Sequence, residues 1–135
     1  MNLDQARAFL AREFPQNTCT VEAIGIGQST LRQAIGFEHL RPGGTVSGPT
    51  LMALADCAAY VAILSQFGEV ALAVTTNLTI NFLRKPAADK DVIAECKLLK
   101  TGKRLVVCEV LVYSEGLDDA VAQVTATYSI PPQPL

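Results

Sequence analysis

The sequence has no tryptophan, a single histidine and only 6% aromatic residues. So few rings leave little material for a base-stacking surface. A dominant charge sign is missing too. Eleven lysines and arginines face thirteen aspartates and glutamates, for a formal net charge of -2, and no long stretch is basic. A nucleic-acid partner, which demands a basic footprint, is therefore not expected. The four cysteines are Cys19, Cys57, Cys96 and Cys108, with no two-residue spacing among them, and the one imidazole is His39. That pattern fits neither a zinc knuckle nor a Cys-x-x-Cys redox motif, so neither metal nor cofactor is expected and the thiols read as core filling. The first residues carry Asp4 early and no apolar run, so no secretory signal is expected and the location expected is cytoplasmic.

What is present is apolar. Half of the residues are hydrophobic and 18% are charged, which suits one domain over residues 1–135 with ample core. Leu3 to Phe14 reads as a short amphipathic helix closed by Pro15. Thr18 to Gly27 and Ser29 to Phe37 read as two strands, and His39 to Val46 as a loop holding Arg41-Pro42-Gly43-Gly44. A long apolar helix follows, with Ser47 as its cap and Pro49 in its first turn. It approaches membrane-spanning length, but Gly48-Pro49 and Gln66-Phe67-Gly68 flank it and an acid interrupts it. A buried helix is the better reading, and no membrane partner is expected.

Beyond Gly68 the pattern turns to strands. Val70, Leu72, Val74, Thr76, Leu78, Ile80 and Phe82 share one face of a long strand, and Ala71, Ala73, Thr75, Asn77, Thr79 and Asn81 the other. Asp91 to Lys100 and Lys103 to Ser114 flank Thr101-Gly102 as a hairpin, a register that sets Cys96 opposite Cys108. A last strand runs from about Ala120 to Ile130, and the tail Pro131-Pro132-Gln133-Pro134-Leu135 cannot continue a sheet. One long helix against one antiparallel sheet is an α+β architecture. Such a sheet covers the helix on one side only, so a dimer is expected.

The acid inside the apolar helix is Asp56. Its neighbours at three and four residues are Met52, Ala53, Ala59 and Tyr60, none of them a cation. A carboxylate buried without a partner is costly. Either Asp56 emerges at a rim or caps a neighbouring element, or it is an active-site acid or base exposed in a cleft.

Gly44, the segment from Ser47 to Tyr60 with Leu54-Ala55-Asp56, the strand Thr75-Thr76-Asn77-Leu78-Thr79-Ile80-Asn81-Phe82-Leu83-Arg84, and Lys100-Thr101-Gly102-Lys103-Arg104 together resemble the hotdog-fold acyl-CoA thioesterases of the phenylacetate-pathway type. The resemblance spans nearly the whole chain and implies a hotdog fold, a long central helix wrapped by the antiparallel sheet. In that family the helix start reads His-Gly-Gly, with an acid nine positions after the His and an Asn six before it. Here Ser47 and Arg41 occupy those two positions, and Lys85 is inserted before Pro86.

The resemblance implies that Asp56 serves as general base or nucleophile toward a thioester carbonyl. It makes the Gly48 backbone N–H an oxyanion donor, as unpaired amides at a helix start suit developing negative charge. Thr75 would orient the water. The acid of one subunit would face the helix start of the other, in a homodimer or homotetramer. Ser47 could donate a hydrogen bond or act as a helix cap, and Arg41 could pair with Asp56 or stay solvated. Arg84, Lys85, Lys100, Lys103 and Arg104 could contact coenzyme A phosphates, Arg84 and Arg104 foremost, or remain solvated turn residues. Met52 and Tyr60 suggest an apolar acyl channel. The competing reading is a hotdog protein that holds an acyl-CoA without cleaving it. A dehydratase-like enzyme, which pairs a His with an acid, ranks last because His39 is poorly placed for it.

Overall fold

Helix α1 (Leu3–Glu13) begins in a reciprocal cap, where the Asn2 side chain accepts from the Gln5 N–H and Gln5 returns the bond to the Asn2 N–H. The computed structural model describes residues 1–132. Strands β1 (Thr20–Gly25) and β2 (Gln28–Gln33) form a hairpin, and β3 (Leu40–Arg41) and β4 (Thr45–Val46) a two-residue one. Then come α2 (Gly48–Phe67), β5 (Val74–Phe82), β6 (Val92–Thr101), β7 (Leu105–Ser114) and β8 (Ala122–Ser129). The chain leaves β8 at the prolines 131 and 132, as their missing N–H groups require. The rest of the expected tail lies outside the described residues.

Six strands make one antiparallel sheet in the order β1-β2-β6-β7-β8-β5, with α2 packed on one face. This is the hotdog arrangement. Helix α2 is apolar on every side because alanines and large aliphatics share its turns. Ala55, Ala58, Ala59 and Ala62 are fully buried and let the strands approach, while Leu51, Leu54, Ile63 and Leu64 fill the gaps. The Ser29 hydroxyl on β2 donates to the Ala58 carbonyl at 2.6 Å, stitching the sheet to the helix. Ser65 accepts from the Gly27 N–H at 2.9 Å and holds the β1–β2 turn. Gly68 ends the helix at φ 82°, a left-handed conformation that glycine adopts without strain.

Several sequence expectations change: the strand expected over Ser29 to Phe37 ends at Gln33, and the expected loop from His39 to Val46 holds the β3–β4 pair. The strand expected from Val70 starts at Val74, because the Ala73 N–H bonds back to Val70 and closes a turn. Within that strand a bulge at Thr76 sets Thr75 against Tyr128 and Asn77 against Thr127. Thr75 is thereby moved to the helix-facing side, which strict alternation had reserved for Thr76. The β6–β7 turn is centred between Lys103 and Arg104 rather than on Gly102, and with a one-residue bulge at Leu99 this pairs Leu98 with Cys108 and Cys96 with Val110. The two thiols are therefore diagonal rather than opposite, though both stay buried on the core face.

The sheet has two edges, β1 and β5. Its face away from α2 carries Thr125, Gln123 and Glu109, linked through the Gln123 side-chain amide. Two stability outcomes follow from the packing. Leu54→Ala, at a site 1% exposed, lowers unfolding free energy in a urea titration by about 2–5 kcal/mol. Ser47→Ala removes the cap on the Thr50 N–H and lowers it by about 1 kcal/mol in the same titration.

Candidate active site

Helix α2 carries Asp56 to the end of the sheet where β5 begins and β8 finishes. Ala53, Cys57 and Tyr60 lie on the same side of the helix as the acid, one turn away or adjacent. Two hydroxyls converge on one carboxylate oxygen. Thr75 donates to Asp56 Oδ1 at 2.6 Å, and Tyr128 donates to the same atom at 2.7 Å. The Tyr128 hydroxyl also lies 2.9 Å from the Asp56 backbone carbonyl. Tyr128 is buried, and its phenol is pushed up, first by that burial and then by the Asp56 charge and hydrogen bond. It therefore remains a protonated donor.

Asp56 Oδ2 has no hydrogen-bond partner among the described residues, and no buried side-chain oxygen there lacks one. Oδ2 is thus accessible. Asp56 lines a cavity of about 530 Å³ walled also by Tyr60, Ala73 and Val74, by Gln33 of β2, and by Phe14 and residues 16–19 between α1 and β1. Asn17 organises that wall. Its side-chain oxygen accepts from the Cys19 N–H at 3.1 Å and from the Cys57 thiol at 3.5 Å. The neighbouring Cys19 thiol, together with burial, pushes the Cys57 thiol up from its ordinary range.

The start of α2 forms a second concavity, of about 450 Å³. Gly48, Arg41, Thr45, Phe82, Arg84 and Lys85 are among its lining residues. The Gly48 N–H meets no acceptor among the described residues. A Cβ at Gly48 would sit 3.0 Å from the Phe82 ring, so a larger residue there would push the ring back by a few tenths of an ångström. Ser47 is engaged as the cap: its oxygen accepts from the Thr50 N–H at 3.3 Å and shares a hydrogen bond with the Thr50 hydroxyl at 2.8 Å. Arg84 Nε donates to the Ala120 carbonyl at 2.9 Å, and its other end lies 3.7 Å from Asp119.

Within one chain, then, Asp56, Thr75 and Tyr60 come together, and Gly48, Arg41 and Arg84 come together elsewhere. Eight residues of helix, about 12 Å of rise, separate Gly48 from Asp56. Arg41 does not pair with Asp56. Met52 is exposed, and it lines neither concavity. Lys103 and Arg104 are exposed on the β6–β7 turn and line neither. The Tyr60 hydroxyl donates to the Ala71 carbonyl at 2.9 Å, so the ring is tethered at the cavity wall. Cys57, expected as core filling, also reaches this cavity. Tyr128, Asn17 and Gln33 were not expected. Their only sequence signal is Tyr128 itself, a phenol in register with Ala122, Val124 and Ala126 on an otherwise aliphatic face, where its hydroxyl needs an acceptor. No set of three His, Cys, Asp or Glu side chains that could hold a metal ion occurs among the described residues.

The chain is similar to several solved structures. A candidate thioesterase from Silicibacter sp. TM1040 is 44% identical, with a TM-score of 0.90 over 98% of this chain and 93% of that one. A variant of the phenylacetic acid degradation protein PaaI from Thermus thermophilus is 25% identical, with a TM-score of 0.75 over 92% and 99%. A hypothetical thioesterase from Streptococcus pneumoniae, solved with coenzyme A, shares the fold at 18% identity, with a TM-score of 0.78 over 97% and 98%. No curated protein matches the sequence. The family model described as Thioesterase superfamily matches residues 43–121, more than half of the chain, a span that holds Gly48, Asp56 and Thr75. The chain belongs to the thioesterase superfamily.

Proposed function

We propose that this protein is an acyl-CoA thioesterase of the cytoplasm, working as a homodimer or as a tetramer built from two such dimers. The observation that carries the reading is the Asp56 carboxylate on the wall of a cavity, held through one oxygen by two hydroxyls with the other accessible. In the reaction, Oδ2 takes a proton from a water whose oxygen bonds to the thioester carbon. The carbonyl oxygen becomes an oxyanion, the C–S bond then breaks, and the departing thiolate takes up the proton. Direct attack by Oδ2 on the carbonyl, followed by hydrolysis of the resulting anhydride, uses the same geometry.

The oxyanion needs a donor, and the free Gly48 N–H at a helix start is suited to it. Since Gly48 and Asp56 of one chain sit in different concavities, the donor in this reading is Gly48 of a partner subunit. The edge strand β5 supports such an assembly, because Val74 and Phe82 at its two ends are more than half exposed. Arg41, Arg84 and Lys85 around the helix start offer cations to the coenzyme A phosphates. Lys103 and Arg104 add two more at the end of the sheet nearest Thr75. The pneumococcal protein solved with coenzyme A shares the fold, which agrees with that substrate class.

A second reading, an acyl-CoA-binding protein without hydrolysis, draws on Ser47. Its hydroxyl is committed to the helix cap at the position where the resemblance places a His. Thiol release from a panel of acyl-CoAs decides between them. The hydrolase reading expects turnover by the wild type and a loss of about 10²- to 10⁴-fold in Asp56→Asn and Asp56→Ala. Full turnover in both variants removes Asp56 from the chemistry, and binding without cleavage by the wild type establishes the second reading. Sedimentation of the active protein should show a dimer or tetramer; a fully active monomer would refute the shared site.

A further inference from the structure

We infer that Tyr128 is a positioning residue for Asp56, aiming the second carboxylate oxygen at the reacting water. The inference rests on the hydrolase reading above and adds a residue to it. Tyr128 touches Asp56 twice, through Oδ1 at 2.7 Å and through the backbone carbonyl at 2.9 Å. The phenol has one proton, which goes to Oδ1, the nearer acceptor, while its oxygen sits against the main chain of the same residue.

Thr75 supplies the second restraint, on the same oxygen, from the adjacent strand. The bulge at Thr76 is what sets Thr75 beside Tyr128 in the sheet, so both hydroxyls arrive from one side. With Oδ1 held between two donors, rotation of the carboxylate would break both bonds at once. Oδ2 is left accessible. Burial keeps Tyr128 in place: the residue is 3% exposed, and its ring lies 6.5 Å from that of Tyr60. Its hydroxyl stays protonated at any working pH because burial and the Asp56 charge both oppose ionisation.

Tyr128→Phe keeps the ring and deletes only the donor. A hydrogen bond to a charged group is worth enough to predict a fall in kcat of roughly 10- to 100-fold, with KM changed less than about twofold. Thermal unfolding of the variant should confirm a folded protein at the assay temperature. In an Asp56→Asn background, followed at high enzyme concentration, the same substitution should cost nothing further. A crystal structure of Tyr128→Phe should show the Asp56 side chain in more than one orientation.

An active wild type that loses turnover in Asp56→Asn but not in Tyr128→Phe sinks the role of Tyr128 and leaves the hydrolase reading standing. An equal loss from Tyr128→Phe with and without Asp56 also overturns it, since the phenol would then act independently of the acid. A wild type that releases no thiol from any acyl-CoA sinks the hydrolase reading and the role of Tyr128 together.

Discussion

An anionic side chain in the middle of an apolar helix needs partners, and the rest of the site is arranged around meeting that need for Asp56. Two neutral hydroxyls provide it. Each bond of this type is worth about 1.5–3 kcal/mol, comparable with the cost of leaving a buried polar group unpaired. A bidentate arginine in the same place would pair with the charge and occupy both oxygens. Hydroxyls satisfy one oxygen and leave the charge, and the other oxygen, available. The cavity can therefore present a carboxylate to a ligand without forfeiting the stability of the helix that carries it.

Helix α2 has a second consequence. Its N-terminus offers an unpaired amide and a positive dipole end, while its middle offers the acid. A straight helix holds these apart by a fixed rise, so they cannot serve one carbonyl within one chain. The six-stranded sheet leaves β5 as an edge beside both concavities. A twofold pairing along that edge can set the acid of one copy near the amide of the other, the self-complementary contact that twofold symmetry produces. Phe82, at the far end of β5, already packs on Gly48 and links the edge strand to the helix start.

The elements were largely legible. Both helices, the two hairpins and the last strand follow from apolar periodicity and turn residues, which are local properties of the chain. The errors lie in local turns and in strand register. Each bulge, at Thr76 and at Leu99, is a one-residue event that period-two reading does not register, and each shifts the pairing that follows it. The Thr76 bulge matters most, because it turns Thr75 from the outer face toward Asp56. The basic residues were legible as cations but not as neighbours. Arg41 and Arg84 share the helix-start concavity, whereas Lys103 and Arg104 lie on an exposed turn. Where two loops meet depends on the register of the whole sheet.

From composition and pattern alone came an apolar helix of α2's length, the α+β class, and an acid within it that needed an explanation. The amino-acid order determined these because helix periodicity and the cost of an uncompensated carboxylate are settled within a few turns of chain. Only the tertiary structure decided which groups answer that acid. Tyr128 lies 72 residues from Asp56 along the chain, and its meeting with the carboxylate depends on strand order, a bulge and the depth at which the helix packs. No local propensity encodes that sum.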